Sequence, residues 1–435
     1  MALKPQASLE KLKHLAQHWG RGKPAPPSSL AQPSAWQNAD ELSLLQGSQE
    51  YFPALIADIE AAQTQIYFET YIFDTTASGQ GVAQALMAAA ERGVAVHLVV
   101  DGIGSRSLSL EWQNRLQTAG VQLRVFSPPG RWLLFVRQEW QRLHRKLCAI
   151  DGHIAYCGGI NVLDDFHDPN HGALDQPRLD FSVRVLGDLA VQIAATCHSL
   201  WQKLQDNSSK PAQAGQPLGL HSKRDTLRNL GRNLGRNFGR NPKQSALVLR
   251  DNLRQRRSIE RSYLRAIGRA RQEVLIANAY FFPSRKLLKA LRHAAGRGVQ
   301  VRLLLQGRYE YFLQAHASIA FYAPLLRAGV QIYEYEASFL HAKVAVVDAA
   351  GRSTWATVGS SNLDPLSLLL AREANVVSYQ RDFAQQLQTR LQAALAQGRR
   401  IHLADVSQRS WAQRLFDKLA YGLARSMIWL VKDHF

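Results

Sequence analysis

Residues 144–151 read HRKLCAID and residues 341–348 read HAKVAVVD, two copies of His-x-Lys-x4-Asp in one chain. Each copy is followed by a small-residue turn that ends in Asn: GGIN at 158–161 and GSSN at 359–362. The residues after each His are apolar or β-branched, so each copy reads as a strand. On a strand, His and Lys two positions apart project from the same face. A lone copy is a weak signal; two copies, each with its Gly-x-x-Asn, are hard to obtain by accident.

Working outward, the surroundings of the two copies repeat as well. IYFETYIF (66–73) resembles LIANAYFF (275–282), which sets Tyr71 opposite Tyr280 at an offset of 209. AERGVAVHLVVDG (90–102) resembles AGRGVQVRLLLQG (295–307), and AGVQLRVF (119–126) resembles AGVQIYEY (328–335). Each half has a β-rich run, a helix-length stretch, a Gly-Val turn and a second β-branched run. That is the pattern of βαβ units, which form mixed or parallel sheets covered by helices. The expected fold is α/β, with two duplicated halves and a pocket between them. The halves are expected at 39–205 and 246–400. A basic arm with a Pro/Ser connector occupies 1–38, a basic flexible linker 206–245, and an amphipathic segment 401–435.

The 435 residues carry 53 Lys plus Arg against 34 Asp plus Glu, a formal charge of +19. Such an excess points to a polyanionic partner, either nucleic acid or anionic lipid headgroups. Three cysteines (Cys148, Cys157, Cys197) without a CxxC argue against a disulfide framework and for a reducing compartment. Cys148 and Cys157 fall on apolar strands and read as buried, inert thiols. No stretch has the ~18 consecutive apolar residues of a membrane span, and the first residues lack the apolar core of a signal peptide. Membrane contact is therefore expected to be peripheral. Two segments are candidates for it. RNLGRNLGRNFGRN (228–241) spaces Arg228, Arg232, Arg236 and Arg240 four apart, although its glycines disfavour helix in water and a solvated linker is the plainer reading. Trp411, Leu415, Leu419, Leu423 and Met427 recur every four residues, with Trp429 beyond. They fit either an interfacial helix or one packed on its own domain.

The duplicated residue types suit phosphate chemistry. Lys146, Lys343, Asn161, Asn362 and turn N–H groups match the non-bridging oxygens of a phosphate and stabilise charge in its transition state. One of His144 and His341 attacks phosphorus and forms a phosphohistidine. The other protonates the leaving oxygen and then deprotonates the incoming nucleophile. With two lysines supplying positive charge, no metal ion or other cofactor is expected. HDPNH (167–171) reads as a loop rather than a metal site. A nucleophilic His needs a carboxylate on its other ring nitrogen. Asp180 and Glu373, 36 and 32 positions after their histidines, are the candidates. Asp151 and Asp348 belong to the motif, but on an ideal strand they face away from the Lys and read as fixing a local turn. Tyr71 and Tyr280 read as core residues on strands ending near the pocket.

With these residues the chain resembles the phospholipase D superfamily, whose hallmark is the duplicated His-Lys-Asp motif, over about residues 45–400. IANAYFFP (276–283), FLHAKVAVVD (339–348) and ATVGSSNLDPLSLLLAREANVV (356–377) look like the bacterial cardiolipin synthases, specifically the B-type branch without N-terminal membrane spans. The resemblance implies two phospholipase D-like α/β/α halves with the active site at their interface. It also implies transfer of a phosphatidyl group from one phospholipid to the hydroxyl of phosphatidylglycerol. The donor is phosphatidylglycerol or phosphatidylethanolamine, and the expected location is the cytoplasmic side of the cell membrane. By the family's motifs His144, Lys146, Asn161, His341, Lys343, Ser361 and Asn362 are site residues. Ile160 stands where the second half has Ser361, so hydroxyl support is expected from one half only. The alternatives are a phospholipase D-type hydrolase, a metal-independent nuclease, and a non-catalytic membrane protein of this fold. No nucleic-acid partner is expected, because base-stacking and groove-reading motifs are not evident. Intact motifs argue against the non-catalytic reading.

Overall fold

The computed structural model describes residues 37–128, 141–168, 171–208, 244–251, 255–308, 318–364 and 371–411, with single positions outside these spans. The repeat at 228–241 and nearly all of the N-terminal arm lie outside the described residues.

The first half runs β1 (Gln37–Gln46), α1 (Gly47–Ala61), β2 (Gln65–Thr70), α2 (Ser78–Glu91), β3 (Ala95–Asp101), α3 (Leu110–Thr118), β4 (Gln122–Phe126), β5 (Arg142–Leu143), β6 (Lys146–Ile150), β7 (Ile154–Gly158), β8 (His167–Asp168), β9 (Gly172–Ala173), β10 (Phe181–Gly187) and α4 (Asp188–Ser208). The second runs β11 (Gln244–Arg250), α5 (Ser258–Arg269), β12 (Glu273–Asn278), α6 (Arg285–Gly296), β13 (Gln300–Gln306), α7 (Tyr322–Leu326), β14 (Gln331–Tyr335), β15 (Lys343–Val347), β16 (Trp355–Gly359), β17 (Ala371–Ser378), α8 (Arg381–Ala396), β18 (Gly398–Ile401) and α9 (Leu403–Ser407). β1 begins inside the stretch assigned to the connector, and α4 continues into the stretch assigned to the linker.

The sheet order is β18-β14-β13-β12-β15-β16-β17-β11-β1-β10-β7-β6-β2-β3-β4, nearly palindromic about the β11–β1 contact. In each half the βαβ strands pair in parallel (β2 with β3, β3 with β4; β12 with β13, β13 with β14). The strands bearing the repeated motif pair antiparallel (β6 with β7, β15 with β16). The helix-to-strand turn of each βαβ unit passes through a glycine at positive φ, Gly93 at 92° and Gly298 at 86°. An L side chain there would be strained, which explains the repeated Arg-Gly-Val string.

The motif strands are apolar throughout because both faces are covered: β6, β15 and β16 are buried at every position. One core cluster joins the halves, drawing Leu44, Phe181 and Val183 from the first and Leu275, Val344 and Val376 from the second. Each such side chain, fully buried, contributes roughly 1.5–3 kcal/mol. The interface between the halves is therefore a continuous hydrophobic core, which fixes the geometry of anything built across it.

The strand register corrects one expectation. β2 pairs Ile66 with Ile150, and β12 pairs Val274 with Val347, an offset of 208. The bridges Phe73–Val162 and Phe281–Leu363 give the same offset. Tyr71 therefore corresponds to Ala279 and Tyr280 to Ile72. The identity of two tyrosines had shifted the sequence comparison by one residue. Among the described residues no helix is long and apolar enough to cross a membrane.

Candidate active site

Each histidine sits two residues before its strand, because β6 and β15 begin at the motif lysines. The backbone just ahead of each histidine is instead laced to the opposite half. β5 pairs in parallel with β17, Leu143 beside Arg372, and the His144 N–H donates to the Arg372 carbonyl at 3.0 Å. In mirror fashion Leu340 bridges Leu179, and the His341 N–H donates to the Leu179 carbonyl at 2.9 Å. The residue before each histidine is also clamped by a side chain: Asp101 Oδ2 accepts from Leu143 N at 2.8 Å, and Gln306 Oε1 accepts from Leu340 N at 3.0 Å.

The next residue on each partner strand is a carboxylate, so the pairing crosses between halves. His144 Nδ1 lies 3.1 Å from Glu373, and His341 Nδ1 lies 2.6 Å from Asp180. In sequence each carboxylate follows the histidine of its own half, which suggests a pairing within each half. Two strands that meet only after folding reverse that assignment. Neither half alone holds a complete histidine–carboxylate pair.

Lys146 and Lys343 are 3% and 0% exposed, and each ammonium donates to the carbonyl of its own motif histidine, His144 or His341. Burial lowers the Lys146 ammonium to about 7, Glu373 opposing and Lys343 adding to the fall. Burial likewise lowers both imidazoles. Glu373 offsets part of the effect at His144, while Lys343 and Lys146 deepen it at His341. The carboxylates diverge. Burial drives Asp180 up to about 7 despite Lys343. Burial also acts to raise Glu373, but His144, Arg250 and Lys146 together outweigh it and hold it below the usual range.

Asn161 and Asn362 are buried on the turns after β7 and β16. Asn161 Oδ1 accepts from Ile72 N at 3.2 Å, which orients the amide. Asn362 Oδ1 has no hydrogen-bond partner among the described residues. Ser361 differs from expectation. Its hydroxyl is fully buried and engaged by the Arg250 guanidinium at 3.1 Å, while the hydroxyl that reaches Glu373 belongs to Ser360. Tyr71 also differs. Rather than filling the core, its half-buried ring lies 4.9 Å from the His144 ring, with Lys146 Nζ 5.4 Å away.

Asp151 and Asp348 stand at the far ends of their strands and serve turns. Asp151 accepts from the backbone N–H groups of Gln63, Thr64 and Gln65 at 2.8, 2.8 and 2.9 Å. Asp348 does the same for Arg271, Gln272 and Glu273 at 2.9, 2.8 and 2.9 Å. Both have positive φ, 50° and 46°, which an Asp tolerates better than most residues. His167 and Asp168, expected in a loop, form the short strand β8 paired with β9, and His171 pairs with Asp168 at 2.9 Å. Among the described residues no group of three or more His, Cys, Asp or Glu could hold a metal ion. The three cysteines are buried and unbonded to one another, and burial pushes the Cys157 thiol up to about 12.

A family described as cardiolipin synthase, phospholipase D-like domain, matches residues 55–173 and 263–395, one segment in each half. The chain belongs to this family. It is 38% identical over 362 residues to cardiolipin synthase B of Escherichia coli K12, covering 83% of this chain and 82% of the relative. It is 30% identical to the cardiolipin synthase of Geobacillus kaustophilus, covering 79% of this chain and 64% of that one. In structure it is similar to the phosphatidylserine synthase of Haemophilus influenzae, with a TM-score of 0.62 at 15% identity, over 91% of this chain and 96% of the other. A polyphosphate kinase from Porphyromonas gingivalis shares the fold more loosely, with a TM-score of 0.51 at 14% identity, over 82% and 50% of the two chains. The family members this chain resembles are enzymes of phospholipid synthesis, and the fold is that of the phospholipase D superfamily in two halves.

Arg250, Ser360 and the clamps Asp101 and Gln306 were not singled out in the sequence. Asp101 and Gln306 stand just before the glycine in the repeated strings VVDG and LLQG, so the repeat contained that signal. Arg250 has no such signal, because its counterpart in the other half is not an arginine.

Proposed function

We propose that this chain synthesises cardiolipin by two displacements at phosphorus through a phosphohistidine on His144. Ionised Glu373 accepts a hydrogen bond from the Nδ1–H of His144, which leaves the Nε2 lone pair for attack on the phosphorus of a donor phospholipid. The bond from phosphorus to the headgroup alcohol breaks, and that oxygen takes a proton from His341. The alcohol leaves as glycerol from phosphatidylglycerol or as ethanolamine from phosphatidylethanolamine. The hydroxyl of an acceptor phosphatidylglycerol then gives its proton to His341 and attacks phosphorus. His144 is released and cardiolipin forms. Lys146, Lys343, Asn161 and Asn362 hold the non-bridging oxygens. Burial and the two lysines disfavour a protonated His341. An incoming phosphodiester anion offsets them, so binding charges the acid when it is needed.

The observation that carries this reading is the pair of histidines, each fixed through Nδ1 by a carboxylate of the opposite half, beside two buried lysines. The same site with water as acceptor is a phospholipase. Exposed apolar side chains favour a lipid surface over a free headgroup: Trp411 is 75% and Leu419 61% exposed, with Leu415 between them, at helical spacing. These residues support peripheral binding to an anionic membrane, and three buried, unbridged cysteines are in keeping with its cytoplasmic side. Mass spectrometry of products from defined phosphatidylglycerol and phosphatidylethanolamine mixtures tests the reading. Cardiolipin with a stoichiometric free alcohol is expected. Phosphatidic acid as the main product would replace the synthase with a hydrolase. His144→Ala and His341→Ala should each lose at least ~10²–10⁴-fold, and near-normal activity in either would refute the mechanism.

A further inference from the structure

The two halves are not equivalent around their carboxylates. Along the β11–β17 ladder Arg250 lies directly opposite Glu373. Its fully buried guanidinium comes within 3.9 Å of the Glu373 carboxylate. It is held there by donating to Ser361 Oγ at 3.1 Å and to the Ala371 carbonyl at 3.3 Å. In the first half the β1–β10 ladder ends at Gln46 opposite Phe181, and the next pair sets Gly47 opposite Asp180, with Gly47 N donating to the Asp180 carbonyl at 2.9 Å. The position of Arg250 is thus taken by a residue with no side chain. A Cβ on Gly47 would lie 3.1 Å from Asp165 Oδ2, so the space beside it belongs to a second acid. The turn residue that reaches each carboxylate also differs. Ser360 donates its hydroxyl to Glu373, whereas Gly159 lies so close to Asp180 that a Cβ would stand 2.3 Å from Oδ1.

Resting on the phosphohistidine reading above, we infer that Arg250 is a positioning residue that keeps Glu373 ionised and thereby commits His144, rather than His341, to nucleophilic attack. Arg250 acts through Glu373 on the His144 tautomer. A cation within 4 Å of a buried carboxylate favours its charged form by about 1–3 pH units. Without it, burial, which acts to raise Glu373, is opposed by His144 and Lys146 but no longer by a guanidinium.

The test is the pH profile of kcat/KM for cardiolipin formation in mixed micelles, with Arg250→Met and Arg250→Lys. Arg250→Met should move the acid limb upward by about 1–3 units and permit phosphate to be trapped on His341 as well as His144. Arg250→Lys, which keeps the charge, should leave the limb near that of the unmodified enzyme. An unmoved limb in Arg250→Met, or an equal shift in both variants, overturns the inference. If Arg250→Met does not fold, Arg250→Gln, which keeps donors for Ser361 and Ala371, decides by the same criterion. Failure here is distinct from failure of the mechanism: an unmoved limb with inactive His144→Ala overturns Arg250 alone, whereas active His144→Ala overturns the phosphohistidine.

Discussion

Replacing Glu373 by Gln removes one negative charge from a carboxylate with no solvent exposure, 3.1 Å from His144 Nδ1. In the proposed mechanism the phosphohistidine on Nε2 carries its positive charge on the same imidazole. At an effective dielectric of about 20, unit charges at this separation interact by about 5 kcal/mol. At 1.36 kcal/mol per decade that is about 10³–10⁴-fold in rate. The neutral amide also accepts or donates at Nδ1, so the tautomer is no longer fixed. Glu373→Gln should therefore lose about 10³–10⁴-fold in the first displacement, read as the burst of headgroup alcohol in a quenched-flow experiment. Asp180→Asn should behave differently. Burial pushes Asp180 up to about 7, so its carboxyl is largely protonated below that pH and an amide is nearly isosteric with it. The deficit of Asp180→Asn should be small near pH 6 and grow above pH 7, where the native carboxyl ionises. Glu373→Gln should be impaired across the whole range. Equal losses in both variants at every pH would refute the asymmetry, and a Glu373→Gln enzyme within tenfold of the unmodified rate would refute the cross-half pairing as a catalytic device.

Activity should survive EDTA, since in the proposed mechanism Lys146, Lys343, Asn161 and Asn362 hold the phosphate; loss in EDTA with recovery on one divalent ion would contradict this. Deleting 408–435 should reduce binding to anionic vesicles and leave turnover in detergent micelles largely intact. Binding by the full chain should weaken with salt as the Debye length falls from ~10 Å at 0.1 M to ~3 Å at 1 M. Undiminished vesicle binding, or unfolding of the truncated chain, would instead make the segment a packing element. Asp151 gives a stability prediction. Burial tends to raise its carboxyl, but the Thr64 hydroxyl and three backbone N–H groups outweigh that and hold it at about 2. A depressed folded value contributes stability that is present above the unfolded value near 4 and is lost as pH falls toward 2. The Tm difference between the unmodified protein and Asp151→Asn should be constant above about pH 5 and shrink below it. A difference that grows on acidification would be the wrong sign.

The duplication, the α/β character of both halves and the four motif side chains are legible in the sequence because they depend on local rules. A strand alternates its faces, a glycine permits a positive φ, and a repeated gene segment repeats its residues. The strings around Gly93 and Gly298 reveal their turns for that reason. Asp151 and Asp348 could be read as turn residues because strand geometry alone points them away from the lysines.

Partnerships between distant segments were not legible, since a strand encodes its own periodicity and only weakly its neighbour. The bridge of Leu179 to Leu340 and the pairing of β5 with β17 bring Asp180 to His341 and Glu373 to His144, although each carboxylate follows the other histidine in sequence. The one-residue offset between Tyr71 and Tyr280 has the same origin, because residue identity was compared where hydrogen-bond register decides. Arg250 is the furthest from local inference. In sequence it is one arginine among many in a basic chain. Only the ladder that sets it opposite Glu373, where the other half has Gly47 opposite Asp180, makes it a buried charge within 3.9 Å of that carboxylate. The residues for the chemistry were supplied by the sequence twice over. The contacts that make the two halves unequal, Arg250 beside Glu373 and Gly47 beside Asp180, arise only in the tertiary structure.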